Sequence, residues 1–186
     1  MQSEISNIIK DLRQVAAEAA AEFGSMTAEE LNWKPDAKGW SIAQCFDHLI
    51  TTHGLYFDDL DRLARGDTKM SFWERNSPFS GFFGKFLIRS LDPKNTKKMK
   101  TTAKAVPSQS AIAADIIERF VLHQDELGEH IERAVEKTDP KKQIVTSPLM
   151  GFVTYSLADA LTFIPMHCRR HYDQAKRVAA AENFPR

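Results

Sequence analysis

The sequence predicts an all-α four-helix bundle. Apolar residues recur every three or four positions along four long segments, and the alternation typical of strands is almost absent. The length of 186 residues suits a single domain over 1–186, and no internal repeat or change in composition divides it. A stretch at about 67–107 lacks this periodicity, so we expect it to form a long crossover between the second and third helices.

The first helix is predicted from about Ser3 to Phe23. Isoleucine, leucine, valine and alanine side chains form one apolar stripe along it, and Gly24 follows at a position typical of a helix end. A short helical turn should begin at Thr27, which opens a Thr-x-x-Glu capping box with Glu30.

The second helix should begin at Ser41. The Ser41 hydroxyl is placed to accept from the amide of Gln44 while the Gln44 side chain reaches back, which is a second capping box. The apolar stripe that follows continues to Leu63, and Gly66 marks the expected end. We therefore predict one helix from Ser41 to about Leu63.

The third and fourth helices complete the predicted bundle. The third should run from about Ser108 to Lys137, with its apolar residues on one face. The fourth should be capped by Ser156 and Asp159 and continue to the last apolar positions near the C-terminus. Pro165 lies inside it and should bend it, because proline lacks the amide donor that an inner turn requires.

An aromatic segment lies in the crossover, from Phe72 to Phe86, with five phenylalanines and one tryptophan. It could pack in the core, cover the mouth of the bundle as a lid, or seal a dimer. Six exposed rings would exceed the apolar patch that soluble monomers usually carry, so we expect a lid or a homodimer. The lysine-rich stretch that follows, 94–104, is predicted to be a solvated loop.

Composition excludes several classes of function. Lys and Arg number 25 and Asp and Glu also number 25, so no net field favours nucleic acid or an anionic membrane. No apolar run approaches the length of a membrane span, and the N-terminus lacks the pattern of a secretion signal. Cys45 and Cys168 do not form a disulfide framework. We expect a cytoplasmic protein that acts on a small molecule, with no nucleic-acid or membrane partner.

A pair of histidines, His167 and His171, carries the most informative signal. Their spacing places both imidazoles on one face of the fourth helix, where they could bind one divalent metal from the same side. No glutamate follows His167, so the metalloprotease pattern His-Glu-x-x-His is excluded. A third ligand would come from the second helix, where periodicity alone does not decide between His48 and His53.

Three short motifs give the chain a resemblance to a known family. They are Trp40-Ser41-Ile42 at the start of the second helix, His48-Leu49 one helical heptad later, and His167-x3-His171 followed by Gln174. The length and the four-helix organisation match as well, so the likeness extends over nearly the whole chain. In these respects the sequence resembles the DinB-like superfamily, which includes the YfiT-like proteins.

The resemblance implies an up-down-down-up bundle that holds a divalent metal, zinc or nickel, through His48, His167 and His171. His48 is preferred to His53 because the family's histidine precedes a leucine. His53 and His123 are then candidates for an alternative ligand or for a group that contacts a ligand.

The resemblance also implies a class of reaction. Members include thiol-dependent transferases, so we expect a thiol-dependent S-transferase that uses a low-molecular-weight thiol, or a related metal-dependent hydrolase. The substrate and the catalytic residues beyond the ligands are not predicted. The alternative is a non-catalytic bundle that binds metal or dimerises. A protein side chain in the fourth coordination position would favour that alternative, and an open position would favour the enzyme.

Overall fold

The computed structural model describes residues 2–92, 94–95 and 102–185. The helices are α1 (Gln2–Phe23), α2 (Ala28–Asn32), α3 (Ile42–Gly54), α4 (Phe57–Ala64), α5 (Phe72–Asn76), α6 (Ser80–Leu91), α7 (Ile116–Lys137) and α8 (Leu157–Ala179). A short 3-10 turn, Ala103–Ala105, lies between α6 and α7. Two short strands, β1 (Ile144–Thr146) and β2 (Thr154–Ser156), pair antiparallel. The expected all-α class is confirmed.

Four elements form the bundle: α1, α7, α8 and the consecutive pair α3 and α4. Helix α1 packs against α7 and α8, and α3 packs against the same two helices from the other side. Contacting residues show that α1 runs antiparallel to α7 and parallel to α8. The contacts are Ile9 beside Gly128, Arg13 with Asp125, Glu18 with Arg169, and Glu22 with Tyr172.

The remaining directions follow in the same way. Helices α3 and α4 run parallel to α7 and antiparallel to α8. The contacts are His123 with Ile50, His130 with Asp61, His48 with His171, and His53 with Cys168. The order is therefore up-down-down-up, as expected, and the long crossover between α4 and α7 is what allows these two elements to run the same way.

Three phenylalanines on three helices show where the core lies. Phe23, Phe46 and Phe120 have no exposed surface. The Phe23 and Phe46 rings are 5.6 Å apart and the Phe46 and Phe120 rings 4.8 Å apart, both tilted. Such aromatic pairs add roughly 0.5–1.5 kcal/mol beyond the apolar area they bury. They fix α3 against α1 and α7 at the level of the first turns of α3.

The predicted second helix is two helices, and this prediction was wrong in detail. Helix α3 ends at Gly54 and α4 begins at Phe57. Between them the amide of Tyr56 donates to the carbonyl of His53, which is a tighter bond than the α-helical one. Glycine weakens the helix here, and the Tyr56 hydroxyl lies 2.5 Å from that of Tyr155. The turn therefore directs Tyr56 into the core.

The third helix begins at Ile116 and not near Ser108. The reason is that side chains of earlier elements bind the backbone of residues 108–112. Asn32 accepts from the amide of Ile112 and donates to its carbonyl, and the Asp47 carboxylate accepts from the amide of Ser108. These bonds replace the helical ladder and tie the end of the crossover to α3.

The predicted caps are observed. Capping boxes begin α2 at Thr27 and α3 at Ser41, and the Ser156 hydroxyl accepts from the amide of Asp159 at the start of α8. Helix α8 continues through Pro165. The small hairpin of β1 and β2 was not predicted, because three-residue strands are too short to show alternation.

The aromatic segment forms α5 and α6. On the inner side of α6, Phe83 packs against the core and Gly84 closely approaches Asp159, where a methyl group would be 2.2 Å from a carboxylate oxygen. The outer side of α6 is exposed, with Phe82 at 64%, and Phe72 at the start of α5 is 83% exposed. The lysines at 97, 98 and 100, within the predicted solvated loop, lie outside the described residues. No helix in the described ranges has the length and apolarity to cross a membrane.

Candidate metal centre

Helices α3 and α8 bring three histidines together. His48 lies two turns into α3, and His167 and His171 lie one turn apart near the middle of α8. One nitrogen from each ring can be chosen so that all three lie within 4.8 Å of one another. The ring centroids are 4.6–5.1 Å apart. Side chains 119 residues apart in the chain thus form one compact group.

His48 is oriented by the crossover. Its Nδ1 lies 2.6 Å from the carbonyl oxygen of Ala105, in the short 3-10 turn. A carbonyl oxygen only accepts hydrogen bonds, so Nδ1 carries the proton and Nε2 is left with a free lone pair. The carboxamide of Gln44 donates to the carbonyl of Ser108 and helps to hold this part of the crossover on α3.

His171 is oriented by its own helix. Its Nδ1 lies 3.0 Å from the Oε1 of Gln174, one turn further along α8. The amide oxygen accepts, so the His171 proton also lies on Nδ1 and its Nε2 is free. Trp40 packs over this part of the group, stacked on His171 at 5.4 Å and tilted toward His48 at 4.9 Å between ring centroids.

His167 is oriented by a chain of buried polar groups. Its Nδ1 lies 3.0 Å from the Nε2 of His53, and the Nδ1 of His53 lies 3.8 Å from the sulfur of Cys168. The Cys168 thiol donates to the Oε1 of Gln124 at 3.4 Å. The thiol has one proton, so its sulfur accepts from His53, whose Nε2 then accepts from His167. The proton of His167 therefore lies on Nδ1.

These assignments leave two unprotonated nitrogens facing each other. Nε2 of His48 and Nε2 of His167 are 3.2 Å apart, and neither holds a proton to share. Two lone pairs at this distance repel unless a cation lies between them. Two nitrogens on one tetrahedral zinc ion, each at about 2.0–2.1 Å, are about 3.3 Å apart. The donor set thus fits a divalent metal held through three Nε2 atoms.

Burial keeps these rings neutral. It lowers the pKa of His48, and it lowers the pKa values of His53, His167 and His171 well below the ordinary range. Repulsion between the neighbouring imidazoles adds to the effect for these last three rings. Neutral imidazole is the form that binds a metal, so no proton needs to be displaced at neutral pH.

No fourth protein ligand joins the group among the residues that the structure describes. Cys168 points to Gln124, and burial raises the pKa of its thiol, as it does for Cys45. His53 lies behind His167, on the side away from His48. His123 is elsewhere: its Nε2 donates to the carbonyl of Ile50 at 2.8 Å, and its ring packs against Phe57.

The two arginines between His167 and His171 connect α8 to neighbouring helices. Arg169 forms an ion pair with Glu18 of α1. Arg170 donates to the carbonyl groups of Ser90, Asp92 and Asn95, and so fixes the end of α6 beside α8.

Sequence reasoning missed several groups at this site. The Ala105 carbonyl has no sequence signal, because any residue supplies one. Gln124 belongs to no sequence motif, and Cys168, on the apolar stripe of the fourth helix, is expected from sequence to be an inert packing residue. Trp40 and Gln174 entered only as parts of the family motifs. Gln124 could have indicated this chain of polar groups, because a glutamine on an apolar stripe needs a hydrogen-bond partner when it is buried.

Comparison with known proteins identifies one family. Residues 11–175, most of the chain, match the family model of the DinB superfamily. No curated protein and no solved structure matches the chain.

Proposed function

The chain belongs to the DinB superfamily, and from this membership and the histidine group we propose that it is a divalent-metal-dependent enzyme. His48, His167 and His171 are its ligands, and zinc or nickel its metal. The observation that carries the proposal is the pair of unprotonated Nε2 atoms, 3.2 Å apart, in a set that has no fourth protein ligand among the described residues. A purely structural zinc site would complete its coordination with a side chain.

The charge of the site favours an anionic substrate group. The groups that hold the three ligands are a backbone carbonyl, an imidazole and a carboxamide, which are all uncharged. A dication held this way keeps its full charge and an open position, which favour the deprotonated form of a group that binds there. A thiol is the simplest such group, so we propose a thiol-dependent S-transferase that uses a low-molecular-weight thiol.

The protein's own residues contribute orientation and shielding. Ala105, His53 and Gln174 fix the three rings, and Trp40 covers the His48 and His171 edge. His167 is the least buried ligand, so the thiol and the second small-molecule substrate approach from its side. Neither Cys45 nor Cys168 is the nucleophile, because both thiols are buried and protonated. Two free cysteines also fit a reducing, cytoplasmic location.

Cobalt substitution tests this proposal. The cobalt-loaded protein should develop a near-ultraviolet charge-transfer band when glutathione is added, because thiolate sulfur binds the metal. S-methylglutathione, which has no thiol, is the matched control and should give no band. The transferase proposal fails if no thiol changes the spectrum while activated esters are cleaved in a metal-dependent way, and a hydrolase then replaces it. If a fully loaded protein does neither, a non-catalytic bundle is the better description.

We also propose that the exposed aromatic side of α6 forms a homodimer interface. Phe79, Phe82 and Phe86 recur along one side of the helix, and all three rings are exposed. An isologous interface uses the same patch twice, so this ridge could pack against its own copy. Sedimentation should show a dimer for the native chain and a monomer for Phe82→Glu. A monomeric native chain would contradict the interface.

A further inference from the structure

His53 holds a position that the three-ligand site does not explain. It is buried, with 2% of its surface exposed, and among the described residues its ring nitrogens bond to two groups of α8. We propose that His53 is a positioning residue, which fixes the His167 ring so that its Nε2 faces the metal. This inference rests on the proposed metal site.

The geometry separates this role from that of a ligand. His53 Nε2 bonds to Nδ1 of His167, and the opposite nitrogen of the same ring faces His48. One ring cannot present two nitrogens to one metal ion, so His53 is on the far side of His167 from the site. The rings of His53 and His167 meet edge to face, with centroids 5.2 Å apart.

His53 is itself fixed by a second group. Its Nδ1 faces Cys168, whose thiol donates to the carboxamide oxygen of Gln124 on α7. The hydrogen bonds therefore run in one direction, from His167 through His53 and Cys168 to Gln124. Three helices contribute to this chain, so the orientation of His167 depends on how α3, α7 and α8 pack.

The choice of histidine has a chemical consequence. Metal-bound histidines often donate to a carboxylate, which increases the basicity of the ring and adds negative charge. His53 gives the same orientation without charge. The site consequently remains more electrophilic than one with an aspartate in this place, which agrees with an anionic substrate group.

Leucine and glutamine at position 53 separate orientation from packing. Leucine fills a similar space but accepts no hydrogen bond, so the His167 ring loses its anchor while the core remains filled. Glutamine keeps an acceptor oxygen for His167 and a donor for Cys168. Removal of such a partner typically lowers metal affinity 10- to 100-fold. We expect that loss for His53→Leu and a loss of only a few-fold for His53→Gln.

His123→Leu is the matched control. His123 is also a buried histidine on an apolar stripe, 6% exposed, but its bond goes to the carbonyl of Ile50 and it contacts no ligand. Replacing it should change stability without changing metal affinity.

The experiment measures zinc affinity by competition with a chromophoric chelator, the visible spectrum of the cobalt-loaded protein, and thermal unfolding of the metal-free protein. We expect His53→Leu to bind zinc 10- to 100-fold more weakly and to alter the cobalt ligand-field bands, with apo stability equal to or above that of the native chain. His53→Gln should restore both metal readouts.

Each other outcome has a distinct meaning. If the native chain binds no zinc, the proposed metal site fails and this inference fails with it. If the native chain binds zinc and His53→Leu binds it equally well with an unchanged cobalt spectrum, only the positioning role is overturned. The same conclusion follows if His123→Leu weakens zinc binding as much as His53→Leu, because the effect would then reflect general core damage. If His53→Leu does not fold, the zinc affinity and cobalt spectrum of His53→Gln test the proposal instead. A loss of zinc binding in His53→Gln as large as that in His167→Ala would overturn it.

Discussion

The six histidines of this chain fall into two groups with different surroundings. His48, His53, His167 and His171 lie between α3 and α8, and His123 and His130 lie on α7. Five of the six are buried, and His167 is half-buried. On α7, His123 donates to a backbone carbonyl, and His130 pairs with Asp61 at 2.7 Å while it stacks on Phe57.

The difference lies in where the free lone pairs point. Between α3 and α8 the partners hold the Nδ1 protons of His48, His167 and His171 and turn their Nε2 atoms toward one point. On α7 the bonded nitrogens of His123 and His130 meet a backbone carbonyl and a carboxylate, and among the described residues neither ring joins the three-histidine group. Both groups contain buried histidines on apolar helix faces, so neither burial nor periodicity identifies a metal site. The distinguishing feature is that unprotonated nitrogens from several rings converge on one point.

The strongest test of this contrast is the loss of a ligand. His167→Ala should abolish stoichiometric zinc in protein purified without chelator, because two imidazoles do not hold the ion. His130→Ala, from the other group, should retain one zinc ion per chain. Atomic emission on both proteins provides the measurement. Full metal content in His167→Ala would contradict the assignment.

A second test uses pH and the metal-free protein. The folded pKa values of His53, His167 and His171 are held well below the ordinary value by burial. The unfolded chain takes up protons near pH 6.5, so below this pH it binds more protons than the folded chain, and the free energy of unfolding falls as pH falls. Each such group contributes up to about 1.4 kcal/mol per pH unit.

Urea unfolding in the presence of a chelator, at pH 7.5 and pH 5.5, measures this slope. We expect lower stability at pH 5.5 and a shallower dependence in His53→Leu, which has one fewer buried imidazole. Equal stability of the native chain at both pH values would show that the folded rings take up protons as readily as those of the unfolded chain. The lowering of their pKa values by burial would then be wrong.

A third, smaller effect concerns the α7 group alone. His130→Ala removes a ring that stacks on Phe57 at 4.2 Å, a contact worth about 1 kcal/mol, and it also removes the hydrogen bond to Asp61, which adds to the loss. We expect a lower midpoint in thermal unfolding, with zinc affinity equal to that of the native chain. A decrease in zinc affinity would show that His130 influences the proposed metal site, and would contradict the distinction between the two histidine groups.

The sequence predicted the bundle, its helix caps and the grouping of His48, His167 and His171, but each prediction rested on a different kind of signal. The bundle came from periodicity, and the caps came from local hydrogen-bonding rules that act over three residues. His48 was chosen over His53 only by resemblance, because both lie on or beside the apolar stripe of α3. Which of them faces His171 and which lies behind His167 depends on the position of α8, which local sequence does not encode.

The missed boundaries share one physical cause. The apolar stripe of the predicted third helix extends back to Ile112, yet Asn32 and Asp47 bind the backbone of residues 108–112, and these side chains are more than 60 residues away. The break at Gly54 likewise leads to Tyr56, whose hydroxyl meets that of Tyr155. Where a distant side chain competes for the backbone or the core, local propensity is overridden.

The smallest predicted effect concerns the charge of the site and uses Gln174→Glu. A carboxylate here can still accept from Nδ1 of His171, so the ligand geometry is kept while one negative charge is added. Zinc affinity should be unchanged or slightly higher, because the ring becomes more basic. Affinity for an anionic thiolate should fall about threefold, since a partly exposed charge is worth less than about 1 kcal/mol. Titration of glutathione into the cobalt-loaded protein measures this shift. A rise in thiolate affinity together with zinc affinity would contradict this prediction. It would show that the uncharged hydrogen-bond partners of the three histidines do not determine the preference for an anion.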